Sequence, residues 1–502
     1  MNKMKSTMLS TLWALVLTVI FSACSSEKES YLSSLPSESS IVFKLNVVQM
    51  AQKSNIMNNP MIGGLLMQLE GNIPESLKTK YEEIKQDPRN AGIDLEKPLA
   101  VSVTMNTLEK PQVVGVAALS NGEKFDDLMQ QLVSIEESVT IEKLNNGLKR
   151  IKIQGNNQAD FVYNDNRIVM TVDMDATQLI TQQTGQSILS NPNFKEFAES
   201  TNDYSFFLDY SWVTETIKQQ GNDNISIPPI VEHLKGCAAF FTVNFEQGKV
   251  VGKSKIYAND KLEQLQETFY LKPSDKFIGL LPADTYLAIN GGIKNFAEVF
   301  NLMGEKEKKE IEKALLQNGL STELFNSIEG DFTLGVFDEA NPQGIPGFIL
   351  AAECKDRNLF DAIKKMTNNE STEGDILNLM GYYITYLDGS LIATTQNIYE
   401  QCLAEGKIKD LNESLKSTSM KSTLEKGGMV IDFQAIANNE FLNKMKRDRQ
   451  VKVVLNVLKQ LDNLTASYDN LQEGSTELTF KDPNKNALEQ LVSIGISAAM
   501  IF

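Results

Sequence analysis

A recurring segment constrains this chain more than any property of its composition. Leu35 to Gln52, LPSESSIVFKLNVVQMAQ, returns as Leu281 to Phe300, LPADTYLAINGGIKNFAEVF. Each copy opens with Leu-Pro, a small residue, an acid and a hydroxyl. Each then runs through an apolar strand past an Asn, Asn46 or Asn290, into a short helix, with Asn290-Gly291-Gly292 reading as the turn out of the second strand. A segment that returns in this way points to one structural unit used twice.

Later matches fall in the same order. The β-rich runs Leu99 to Met105 and Val113 to Leu119 form a hairpin, as do Phe332 to Phe337 and Gly347 to Ala352 around Asn341-Pro342-Gln343-Gly344. Phe125, Leu128, Met129 and Leu132 recur at helical spacing and lay one apolar face on the first hairpin; Phe360-Asp361-Ala362-Ile363 holds the corresponding place. Turns at Asn164-Asp165-Asn166 and Asp388-Gly389 suit residues that tolerate positive φ. Met429 to Phe433 answers Phe206 to Tyr210, and Leu488-Glu489-Gln490-Leu491 repeats Leu262-Glu263-Gln264-Leu265 letter for letter. Strands arrive mostly as hairpins with helices between groups, so the expected class is α+β, internally duplicated, with largely antiparallel sheets and covering helices in each half. The expected repeats are residues 35–278 and 279–502, packed with approximate two-fold symmetry. The charged run Gly304 to Lys313 reads as a solvated helix face.

Residues 1–23 read as an export signal. Lys3 and Lys5 precede the mostly apolar Met8 to Phe21, and Ser22-Ala23-Cys24 closes the segment with small residues before a cysteine. That pattern resembles a bacterial lipoprotein signal, which implies that Cys24 is acylated and becomes the first mature residue. Residues 24–34 then form a lipidated tether. The acidic stretch Ser25 to Ser30 looks like the signals that send such lipoproteins to the outer face of the outer membrane. The expected address is the cell envelope, on the outer membrane, with the protein held to the membrane through the Cys24 lipid.

The net charge of −17 becomes more negative when Lys3 and Lys5 leave with the signal, and it repels phosphate backbones, so no nucleic acid is expected as partner. His233 is the single histidine, and its surroundings, Val231-Glu232-His233-Leu234, carry no metal spacing. With no Gly-x-Ser-x-Gly elbow either, a serine triad has no sequence support. Gly248 to Ser254, GKVVGKS, has three residues between its glycines where a phosphate loop needs four, and reads as a strand. Cys237, Cys354 and Cys402 carry no zinc or disulfide spacing. Asp173-Met174-Asp175 is too short for a calcium loop, and Trp212 reads as a core residue opposite the strand beginning at Tyr204. No catalytic, cofactor or metal residues are assigned. Acidic residues are plentiful enough to keep a carboxylate-dependent surface hydrolase as the alternative reading.

Taken together, the lipobox cysteine, the Leu-Pro opening at Leu35, its return at Leu281 and the length of 502 residues resemble a family. It is the lipoproteins of Bacteroides-type bacteria grouped as domain of unknown function 4836. The resemblance implies envelope location and this architecture, and it transfers no activity or functional residue. The expected function is that of a non-catalytic cell-envelope lipoprotein binding another protein or a ligand, with the groove between its duplicated halves as the expected place.

Overall fold

The computed structural model describes residues 30–58, 63–64, 70–71, 73–105, 111–135, 138–155, 158–213, 229–317, 319–338, 346–366, 376–379, 381–439 and 449–499. The signal segment, Cys24, most of the tether, and the loop at Asn341 to Gly344 lie outside them. Two compact units emerge. The first comprises Met1–Gln219, Cys237–Gln247 and Lys485–Gly495; the second comprises Gln220–Gly236, Gly248–Asn484 and Ile496–Phe502.

The first unit holds β1 (Ile41–Leu45), β2 (Leu99–Thr104), β3 (Gln112–Ala118), β4 (Val139–Lys143), β5 (Lys149–Ile153), β6 (Ala159–Tyr163), β7 (Arg167–Val172), β8 (Tyr204–Asp209) and β9 (Ala238–Glu246). They pair antiparallel in the order β4-β5-β6-β7-β3-β2-β1-β8-β9. The second unit holds β10 (Lys249–Tyr257), β11 (Tyr270–Leu271), β12 (Leu287–Ile293), β13 (Ile328–Phe337), β14 (Gly347–Cys354), β15 (Ile376–Leu379), β16 (Tyr382–Leu387), β17 (Ser390–Thr395), β18 (Gly428–Asp432), β19 (Leu461–Tyr468) and β20 (Glu473–Phe480). Its order is β15-β16-β17-β14-β13-β12-β18-β19-β20-β10, again antiparallel throughout, with β11 on the end of β12. Mixed helix and strand with extensive antiparallel sheet is thus the observed class. GKVVGKS lies almost wholly in β10, and the charged run lies in a helix, Glu305–Gln317, with no buried residue.

The recurring Leu-Pro opening has a physical explanation. Ser39 donates its backbone N–H and its hydroxyl to the Pro36 carbonyl at 3.2 and 2.7 Å, and Thr285 does the same to Pro282 at 3.0 and 2.7 Å. A hydroxyl in this position closes its own turn, which is why Ser and Thr recur there. Leu35 and Leu281 are wholly buried, whereas Glu38 and Asp284 are exposed. The prolines make matching isolated bridges, Pro36 to Ser187 and Pro282 to Ser414.

Asn46 and Asn290 do different work, which corrects the sequence pairing. Asn46 caps the helix Val47–Ser54 by accepting from the Gln49 N–H, a task that falls to Asn295 before the helix Phe296–Asn301. β12 runs through Gly291 and Gly292 to Ile293, so those glycines are strand and not turn. The residue matching Asn290 is Lys44: both lie inside the strand, and each is 2% exposed.

Each donates into the end of a short helix. Lys44 Nζ reaches the carbonyls of Phe197, Ala198 and Ser200 at 2.9, 2.8 and 2.8 Å, at the end of the helix Lys195–Glu199. Asn290 Nδ2 reaches the carbonyls of Leu424 and Ser274 at 2.9 and 3.0 Å, Leu424 being the last residue of the helix Lys421–Leu424. Helix ends leave carbonyls without an internal partner, and a buried donor supplies one.

An open apolar sheet face as candidate functional site

Side chains alternate across a strand, so one face of an antiparallel sheet is ordinarily apolar and packed while the other is polar and solvated. The second unit departs from this. On β13 the buried positions are Asp331, Thr333, Gly335 and Phe337, while Phe332, Leu334 and Val336 are only half-buried. β12 repeats the inversion, burying Ala288 and Asn290 and leaving Leu287 and Ile289 half-exposed.

The strand register turns this into a surface. Ala393, Leu350, Leu334, Ile289, Met429 and Ala466 sit side by side across β17, β14, β13, β12, β18 and β19. A second row carries Phe348, Val336, Leu287, Ile431, Leu464 and Leu478 across β14, β13, β12, β18, β19 and β20. None of these residues is buried, and Leu350 is 46% exposed. None has a nitrogen or oxygen in its side chain, and only the Met429 sulfur is a weak acceptor. The unit's packed cluster takes its strand residues Ala288, Phe337, Ile349, Ala351, Ile392 and Val430 from the alternate positions, on the other face. Each large side chain left half-exposed forgoes about 1 kcal/mol of the transfer free energy that full burial would provide. The rows form a continuous apolar surface that is only partly buried, exposed outright at Leu350.

The first unit has the same arrangement. Val172, Val113, Val103, Ile41 and Leu208 lie in register and are half-exposed, while Ser102, Lys44 and Ser205 are buried on the opposite side. Its next row is aromatic, with Phe43 to Phe206 at 5.2 Å and Phe206 to Phe241 at 5.7 Å between ring centroids. Toward β6 the same face is covered: Phe125 meets Tyr163 edge-on at 5.1 Å, so the helix Gly122–Ile135 packs near β6 and β7. The Tyr163 hydroxyl donates to Asp126 at 2.7 Å, and burial together with that carboxylate raises its pKa.

The residues singled out in the sequence do not converge. His233 ends a short turn, Pro229–His233, and its carbonyl accepts from the Asn259 side chain at 3.0 Å. Trp212 is half-buried. Cys237, Cys354 and Cys402 are buried and form no disulfide, and burial pushes the Cys402 thiol up to about 11. Such thiols are poor nucleophiles. Among the described residues no group of three or more His, Cys, Asp or Glu could hold a metal ion.

One polar cleft, of about 870 Å³, lies beside β4, β5 and β6. It brings Asp160 and Asp175 together, but both close on Arg150, at 2.9 and 2.7 Å. Asp175 also accepts from the Thr177 side chain and backbone N–H, and these bonds, with Arg150, hold its carboxyl below the usual range. Both carboxylates line the cleft, where one cation, Arg150, engages the pair. No helix among the described residues is long and apolar enough to cross a membrane.

Comparison with known proteins gives a family and little else. Among curated proteins none matches the chain. Crystal form IV of TP0453 aligns at 11% identity and a TM-score of 0.26, covering 45% of this chain and 80% of that one. Crystal form III aligns at 9% identity and 0.26, covering 48% and 87%. Residues 31–488 match the family model described as Domain of unknown function (DUF4836), and the chain belongs to that family.

Proposed function

We propose that this chain is a non-catalytic cell-envelope lipoprotein, tethered through Cys24, that binds an apolar ligand or protein partner on its open sheet faces. The carrying observation is the pair of six-residue rows across β12 to β14 and β17 to β20, whose side chains hold no nitrogen or oxygen. We also read the two units as copies of one ancestral repeat. The shared strand order, the matched Pro36 and Pro282 turns and the matched Lys44 and Asn290 donors support that reading. Repeats covering residues 35–278 and 279–502 follow from it. Outer-membrane residence, with the protein exposed at the cell surface, is the address we propose.

Two experiments test this. Cells fed a clickable palmitate should label the wild-type protein and leave Cys24→Ala unlabelled; equal labelling would remove the anchor. A photo-reactive amino acid placed at Leu350 should capture a defined species in intact cells, and the same probe at Leu316 should not. Leu316 is 70% exposed, on the charged helix. Indistinguishable capture from the two positions would overturn binding at this face.

A further inference from the structure

We infer that each unit is closed by a helix supplied from the other half of the sequence, and that the helix Ala487–Ala499 is a strap whose docking completes the first unit. The four-letter repeat Leu262-Glu263-Gln264-Leu265 and Leu488-Glu489-Gln490-Leu491 carries the argument. Its first copy follows the strands of the first half and lies in the helix Asp260–Phe269, yet those residues belong to the second unit. Its second copy follows the strands of the second half, yet Lys485–Gly495 belong to the first unit.

Hydrogen bonds make the exchange specific. The Glu263 carboxylate accepts from the Gln472 side chain at 2.6 Å, and the Glu489 carboxylate accepts from that of Asn55 at 3.4 Å. The same letter of each copy thus takes an amide from the opposite half. Leu262 is buried in the second unit, and the Phe269 carbonyl accepts from the Lys294 N–H at 2.8 Å, just before the helix Phe296–Asn301. In the first unit Ala487 is wholly buried, and the Asn486 side chain donates to the Phe245 carbonyl of β9 at 3.0 Å. The Phe245 N–H donates at 2.7 Å to Asp203, a wholly buried carboxylate that also receives the Lys53 ammonium of the helix Val47–Ser54 at 2.6 Å. Asn55 is the left-handed residue that ends this helix. The strap is therefore tied at two points, Phe245 and Asn55, on either side of the Lys53–Asp203 pair.

A chain made from its N-terminus generally folds its domains in order. The first unit departs from that order: β9 ends at Glu246, but the contacts at Phe245 and Asn55 stay unmade until Asn486 and Glu489 are delivered.

Native-state hydrogen exchange on the full chain, read by peptide mass spectrometry across a urea series, tests the strap. Amides of Ala487–Ala499 are expected to lose protection together with β8, β9 and the helix Val47–Ser54, and those of Asp260–Phe269 together with β12 and the helix Phe296–Asn301. Two substitutions should cross over. Ala487→Glu puts a charge at a wholly buried site and is expected to speed exchange in the first unit by roughly tenfold, leaving β12 to β14 unchanged. Leu262→Glu should do the reverse. Exchange of Ala487–Ala499 in step with the second unit would overturn the strap, as would equal acceleration of both units by either variant. One transition shared by both units would overturn it too, since the helix would then close neither of them separately. If a variant fails to fold, the urea series on the unsubstituted chain decides alone.

Discussion

Replacing Lys44 with methionine is expected to lower the unfolding free energy by about 3 kcal/mol, several buried carbonyls each losing a partner worth about 1–3 kcal/mol against the recovered cost of burying the ammonium. Lys44 is 2% exposed and lies in β1, opposite Ser205 of β8. Its Nζ sits where three carbonyls, those of Phe197, Ala198 and Ser200, point together, with the Phe197 ring 5.2 Å beneath it. Methionine keeps the length and packing of the stem and removes only the donor. Arginine should not rescue the loss, because its planar fork spreads its donors where the carbonyls converge on a point. Urea unfolding of the full chain measures the effect as a lower midpoint at unchanged slope. A midpoint equal to that of the wild type would show that water reaches the helix end and satisfies it.

This contact shows what sequence could and could not reveal. Periodicity and turn residues locate most strands: Ile41 to Leu45, the β2–β3 hairpin and Tyr204 to Asp209 all stand where alternation and flanking turns place them. β4, VTIEK, escapes because two of its five residues are charged and it lies at the edge of the first unit's sheet. The pairing of Asn46 with Asn290 fails because the letter is shared but the environment is not. Matching by strand register instead equates Asn290 with a lysine, a different letter with the same function.

The open face was missed for a related reason. An alternating strand is read by assuming that its larger apolar set points to the core. In β13 the buried set is Asp331, Thr333, Gly335 and Phe337, and the half-exposed set is Phe332, Leu334 and Val336. The signal was nonetheless present. Thr, Asn, Gly and Lys recur at alternate positions between bulky residues along one strand, as in β1, where Lys44 lies between Phe43 and Leu45. Small or polar residues on the packed face let helix ends approach the sheet closely, as at Lys44 and Asn290.

The closeness of that approach sets the second large effect. Gly428 lies in β18 directly opposite Asn290. A Cβ there would stand 2.3 Å from the Ala466 carbonyl oxygen and 2.8 Å from that of Thr423. Both are backbone atoms, so no rotamer change relieves the clash, and Gly428→Ala is expected to cost about 3 kcal/mol, at the top of the over-packing range. Gly495 is the control: in the helix Ala487–Ala499 its Cβ would meet nothing within 4 Å, so Gly495→Ala should be neutral or stabilise by up to about 1 kcal/mol. Thermal or urea unfolding compares the two, and equal midpoints would mean that β18 and the helix Lys421–Leu424 can separate at little cost. The first unit explains why the glycine is needed in only one place. There the position opposite the donor is Ser205, and a lysine spans the gap to the helix end on a four-carbon stem. In the second unit an amide does the same from a shorter stem, so the helix end must sit nearer the sheet, and only a residue without a side chain fits beneath it.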